Sequence, residues 1–244
     1  MKSVRTGLAF LALVPVLLAA CGGGDSTKPA GTATPAYAPA IDSANFALPV
    51  TNRYFPLTPG TTYVYEGTRD GEPQRDMVTV TSDTRIVAGV LCVVVHDVVA
   101  QQGGLIEETF DWYAQDADGN VWYFGEDSKE YEGGKVVSTH GSWEAGVDGA
   151  QPGIVMKAAP SAGDTFRQEY YAGEAEDMSR VLKLSETVQV AAGSYRDVLV
   201  TEDFTPLEPD VLEHKYFAPG VGLVKASMVK GGAEEMELVQ VMME

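Results

Sequence analysis

Two short runs set an ionisable group among aromatic residues at every second position. Glu108, Phe110 and Trp112 alternate in one run; His214 and Tyr216, followed by Phe217, do so in the other. Residues at that spacing share one face of a strand. An aromatic face is expected to turn inward. An ionisable group on it must then be hydrogen-bonded or face a ligand, because an unpaired buried charge is costly. The reading is a sheltered concave face holding an apolar or amphipathic small molecule, lined by Glu108, Phe110, Trp112, His214 and Tyr216. A satisfied polar group inside a filled core is the plainer alternative.

Other chemistry finds less support. Asp116-Ala117-Asp118-Gly119-Asn120 has the flavour of a calcium loop. Counted from Asp116, however, Val121 stands where glycine is needed and Asp127 where glutamate is needed, so a hairpin turn is expected instead. The three histidines, His96, His140 and His214, are not spaced as zinc ligands. His96 is expected at a core edge and His140 in solvent. Gly173-Glu174-Ala175-Glu176-Asp177 bunches three carboxylates, and a solvated loop explains them. There is no Gly-x-Ser-x-Gly elbow and no phosphate-cradling glycine loop. No catalytic, metal or cofactor set is chosen, and the chain is not expected to be an enzyme.

The elements that would carry these residues are strands. From about residue 45 onward, turn signals recur roughly every ten residues, between alternating runs rich in Val, Tyr, Thr and Phe. The runs also repeat. Pro59-Gly60-Thr61-Thr62-Tyr63 lines up with Ala162-Gly163-Asp164-Thr165-Phe166, and Asp76-Met77 with Asp177-Met178. Ile86-Val87-Ala88-Gly89 lines up with Val190-Ala191-Ala192-Gly193, and Trp112-Tyr113-Ala114 with Tyr216-Phe217-Ala218. Ordered matches at one offset near a hundred residues indicate a doubled unit. The expected fold is all-β, an internally duplicated antiparallel meander forming a strongly curved sheet or an open barrel. Its halves are 56–126 and 159–229, its connector is 127–158, and the β domain as a whole is 44–244.

The start of the chain says where that domain works. Lys2 and Arg5 precede an apolar run, Gly7 to Ala20, too short to span a bilayer, which takes about 20 residues. Leu18-Ala19-Ala20-Cys21 follows, and it resembles the lipobox of bacterial lipoproteins. That resemblance implies a signal peptide over 1–20, cleavage before Cys21, and acylation of Cys21 on sulfur and amine. The mature chain would be anchored to the outer side of a membrane, periplasm-facing or at the cell surface. Residues 21–43 are rich in Gly, Ser, Thr, Ala and Pro and read as a flexible tether. With Cys21 acylated, Cys92 has no partner; it sits in Leu91-Cys92-Val93-Val94-Val95 as a small core residue.

The 35 acidic and 17 basic residues give a net charge of −18, and −20 once Lys2 and Arg5 have left. Such acidity repels nucleic acid and anionic headgroups, so neither is an expected partner. The block Tyr216-Phe217-Ala218-Pro219-Gly220-Val221-Gly222-Leu223-Val224-Lys225 resembles a closing hairpin of a family of bacterial exported lipoproteins, and that likeness implies no activity. The leading expectation is a membrane-anchored, non-enzymatic binding or envelope-maintenance module. A structural or protein-interaction lipoprotein with a filled core is second. A metal-binding lipoprotein or a hydrolase comes after both.

Overall fold

The computed structural model describes residues 37–243. The leader, Cys21 and the first part of the tether lie outside the described residues. Asp42 caps a three-residue 3-10 turn, Ser43–Asn45, by accepting from the Ala44 N–H at 3.0 Å. Three short strands follow: β1 (Phe46–Ala47), β2 (Val50–Asn52) and β3 (Phe55–Leu57). The first half supplies β4 (Thr61–Arg69), β5 (Glu72–Val87), β6 (Val90–Gln101), β7 (Gly104–Asp116) and β8 (Val121–Glu132). The connector holds β9 (Lys135–Ser138), β10 (Trp143–Glu144) and β11 (Gln151–Met156). The second half supplies β12 (Thr165–Arg167), β13 (Glu169–Tyr170), β14 (Met178–Val190), β15 (Gly193–Phe204), β16 (Leu212–Ala218) and β17 (Gly222–Lys230). Last comes β18 (Glu234–Met243).

The hydrogen-bonded order is β12-β14-β15-β16-β17-β18-β4-β5-β6-β7-β8-β11-β13, and every pairing is antiparallel. Its two ends, β12 and β13, are separated in sequence by Gln168 alone. The sheet thus curls until its edges come close, a barrel nearly closed, with its seam between β12 and β13. Gly153 on β11 makes the approach feasible: a Cβ there would lie 2.3 Å from the Gln168 carbonyl carbon. Closure matters because an open edge exposes unpaired N–H and C=O groups.

The matched sequence segments fall on matched strands: β4 with β12, β5 with β14, β6 with β15, β7 with β16 and β8 with β17. Their turns share geometry. Gly60 (φ 85°) donates to the Val80 carbonyl at 2.8 Å, and Gly163 (φ 90°) donates to the Val181 carbonyl at 2.8 Å. Only glycine takes such a φ at no steric cost.

One end of the barrel is apolar and plugged. The β2–β3 hairpin inserts Val50, Tyr54, Phe55 and Leu57, all buried. Phe55 meets Tyr113 edge-on, ring centroids 5.4 Å apart, and tilts over Phe217 at 6.4 Å. Cys92 is buried in the same core, where desolvation pushes its thiol up to about 12. The tether docks earlier than expected. Tyr37 donates its hydroxyl proton to the Pro152 carbonyl at 3.1 Å and stacks edge-on with Tyr170 at 5.7 Å. Ile41 packs against the core. Residues 37–43, read as spacer, are therefore bound to the barrel, because Tyr37 and Ile41 give that stretch apolar surface to bury.

Candidate functional site

The residues expected to line a concave site stand on the outer face. Along β7 the buried side chains are Glu107, Thr109, Asp111 and Tyr113, while Glu108 and Phe110 are half-buried. The aromatic face is the outer one, and the inward face carries acids. Trp112 is buried from outside: the Arg85 guanidinium lies 4.0 Å over its ring and pairs with Glu144 at 2.5 Å. His96 stacks flat on Phe110, centroids 4.3 Å apart, and its Nε2 is 3.0 Å from Glu108 Oε1. Tyr131 donates to Glu108 Oε2 at 2.9 Å; this bond, and then His96, hold the Glu108 carboxyl below its usual range. On β16, His214 faces Glu202 at 3.6 Å, and Glu202 also holds Arg180 at 3.3 Å. Tyr216 is half-buried beside them, whereas Phe217 points in.

Glu108, Phe110 and Trp112 therefore form one outer cluster, and His214 and Tyr216 another. Five strands separate β7 from β16 along the sheet, so no single pocket unites them. Asp116 is spent in its hairpin: its carboxylate accepts from the Asn120 N–H at 2.8 Å, Asn120 Nδ2 at 2.9 Å and Trp122 Nε1 at 2.8 Å. His140, expected in solvent, is partly buried, and its Nε2 lies 3.4 Å from Glu174.

The interior divides into an apolar end and a charged end. The apolar end is filled: Tyr65, Tyr113, Tyr123, Leu199 and Leu238 are each at most 1% exposed. A cavity beside Phe55, Tyr63 and Leu223 measures about 10 Å³, no more than one water needs. In the second half of the charged end, Lys215 Nζ lies 3.2 Å from Asp203 and 3.3 Å from Glu213. Ser179 donates to the other Asp203 oxygen at 2.8 Å. Burial works against the Lys215 charge, but Glu213 and Asp203 outweigh it and raise the ammonium's pKa.

The first half is built differently. Asp76, Asp97, Asp111 and Glu126, from β5, β6, β7 and β8, are each at most 1% exposed. Asp76 and Asp97 face each other, and as two carboxylates they have no donor, so none of their four oxygens has a hydrogen-bond partner; a proton on one of them lets the two bond to each other. Tyr123 Oη is 2.6 Å from Asp111 and 2.9 Å from Glu126. A hydroxyl has one proton, so one of those carboxyls must supply another. Desolvation raises all four, and their mutual charges add to it for Asp97, Asp111 and Glu126. Nearer the mouth, burial pushes Glu107 up to about 8 and Glu234 up to about 7, with Arg69 pulling both back. Gln74 donates to Glu234 at 2.8 Å. Among the described residues, no group of three or more His, Cys, Asp or Glu side chains is arranged to hold a metal ion.

A surface groove of about 380 Å³ lies outside the plugged end of the barrel, against the N-terminal hairpin and residues 158–160. Arg53, Tyr54, Pro160, Leu184 and Asp197 line it.

The interior acids and Lys215 escaped sequence reasoning. Glu107-Glu108-Thr109-Phe110-Asp111-Trp112-Tyr113 offers an acid and an aromatic on both faces, so hydrophobicity picks the wrong one. A usable signal was the repeat itself, which pairs Asp76 with Asp177; both are buried.

No protein-family model matches the chain, and no curated protein matches it in sequence. Two crystal structures resemble it. One is a Bacteroides fragilis protein of YmcC-like fold, inferred to be exported: 15% identity, TM-score 0.47, covering 79% of this chain and 100% of the other. The second is a Parabacteroides distasonis protein inferred to be a lipoprotein: 11% identity, TM-score 0.43, covering 78% of this chain and 99% of the other.

Proposed function

We propose that the chain is an extracytoplasmic lipoprotein, anchored through acylated Cys21 to the outer side of a membrane, that serves the cell envelope as a non-enzymatic interaction module. The leader and the Leu18-Ala19-Ala20-Cys21 motif support the anchor. Each buried methylene of a lipid chain contributes about 0.8 kcal/mol, so more than one chain holds firmly. The body, with its excess of acids, is repelled by anionic headgroups and depends on that anchor.

The single observation that carries the interaction reading is the sealed barrel. Its apolar end is packed with its own tyrosines and leucines and plugged by Phe55, so an acyl-sized ligand has no room there. Recognition then falls to the outer faces. Native mass spectrometry of the full chain, purified in detergent from its own membrane, tests this. The expected species starts at an acylated Cys21 and carries no further small molecule. A stoichiometric adduct sinks the reading.

The groove favours a second reading, an amphipathic small molecule. Tyr54, Pro160 and Leu184 offer apolar surface, and Arg53 and Asp197 offer opposite charges. Its volume lies within the range of ligand pockets. An adduct lost on Arg53→Ala and kept on Phe110→Ala would select it.

A further inference from the structure

We propose that the seam of the barrel is proton-gated: the carboxyls of Asp111, Glu126 and Glu169 converge across it, and loss of their protons drives β8 and β13 apart. The physical device stands on the interior geometry; its biological sense rests on the extracytoplasmic reading, because a chain outside the cytoplasm meets the pH of its surroundings.

The seam is the thinnest part of the wall. β13 holds β11 through two residue pairs, Gln151 with Tyr170 and Pro152 with Glu169, and β12 holds β14 through three. β5 and β6, by contrast, pair from Gln74 with Gln101 to Val87 with Val90. Three polar contacts secure the seam. Trp143 Nε1 donates to Glu169 Oε2 at 2.8 Å, the Gln168 N–H donates to the Asp177 carbonyl at 2.8 Å, and Gln168 Nε2 reaches Asp203 at 3.5 Å.

The acids sit where repulsion would act on this wall. Glu126 is on β8, Glu169 on β13, and Asp111 on β7 opposite Glu126. All three are buried. Asp177, just before β14, faces Glu126 and Glu169 on one side and Lys215 on the other. The Tyr123 hydroxyl, shared between Asp111 and Glu126, already requires one carboxyl proton. Other ionisable groups face the cluster. Asp76, Asp97 and Glu107 add negative charge from β5, β6 and β7, and Tyr113 stays neutral on burial. The buried cations among the described residues are Lys215, held by Asp203 and Glu213 and also facing Asp177, and Arg69, beside Glu234 at 3.9 Å and also facing Glu107. Neither forms an ion pair with Asp111, Glu126 or Glu169. Ionisation there is met by like charges in a dry setting, where repulsion is strong.

Hydrogen–deuterium exchange of the full chain in detergent at pH 6 and pH 9, expressed as protection so that intrinsic rates cancel, tests the gate. Protection at residues 121–126 and 165–170 should fall at least tenfold more than at residues 212–218, where Lys215 neutralises its neighbours. Glu126→Gln and, separately, Glu169→Gln should each shrink that fall severalfold. Should one variant not fold, the other and the native profile decide. Protection that does not change with pH overturns the proposal. So does equal loss around Lys215, or variants that lose protection as the native chain does.

Discussion

One interior position separates the two halves of the barrel. The repeat that sets Trp112-Tyr113-Ala114 on Tyr216-Phe217-Ala218 sets Asp111 on Lys215. Both side chains point inward and both are surrounded by carboxyls. In the second half the lysine supplies a positive charge that Asp203 and Glu213 both face. In the first half the same place adds a further acid, and only protons can relieve the crowd. The same meander thus solves burial of charge twice, once with an ion pair and once with shared hydrogens. The second solution answers to pH near neutrality, because burial raises Asp76 and Asp111 to about 7.

The largest single-residue test of this contrast removes the lysine. Lys215→Met should cost about 3–5 kcal/mol at pH 7, because Asp203 and Glu213 are left buried and uncompensated. Urea unfolding reads it, and a loss below about 1 kcal/mol would put the second half on the same footing as the first.

Next comes pH itself. Glu107 and Glu234 are raised from 4.5, to about 8 and about 7. A group raised on folding contributes stability that is whole below its unfolded pKa and is lost as pH climbs through the folded one. The unfolding free energy should therefore decline by about 6 kcal/mol between pH 5 and pH 8 if both shifts are expressed in full. Glu107→Gln should flatten the slope. A profile that rises with pH over that range would mean that Glu107 and Glu234 fold as carboxylates.

A smaller effect is expected from Asp111→Asn. The amide keeps an acceptor for Tyr123 and cannot ionise. Stability should change by less than about 1 kcal/mol at pH 6 and improve by about 1–2 kcal/mol at pH 9. Smallest of all is a tyrosine pair. The Tyr65 hydroxyl donates to the Leu223 carbonyl at 3.0 Å, so Tyr65→Phe should cost about 1 kcal/mol. The Tyr113 hydroxyl has no hydrogen-bond partner among the described residues, so Tyr113→Phe should be neutral or slightly stabilising. Thermal melts of the two variants side by side decide it.

Much of the fold is legible in the residues. Alternation and turn chemistry give the strands, and the doubled segments give two meanders in matching order, because periodicity and glycine placement are local properties. Cys92 reads as core for the same reason. The functional face does not. Assigning Glu108, Phe110 and Trp112 to the interior assumes that aromatics mark it. Arg85 and Glu144, distant in sequence, bury Trp112 from outside, while Tyr113 takes the inward place. A one-residue choice of phase exchanges the two faces entirely. Closure is equally hidden, since β12 and β13 are too short to announce themselves and meet only through the course of the whole sheet.

Tyr37 fastens the leading end of the described chain to the very place where the wall is joined. Its ring packs against Tyr170 and the Arg167 guanidinium, 5.5 Å away, and its hydroxyl holds Pro152 of β11. It stands sixteen residues after Cys21, a reach of at most about 55 Å when taut. Were the fatty end held in a bilayer, any drag on the body would be delivered first to that ring, as a tug on a button rather than on the cloth.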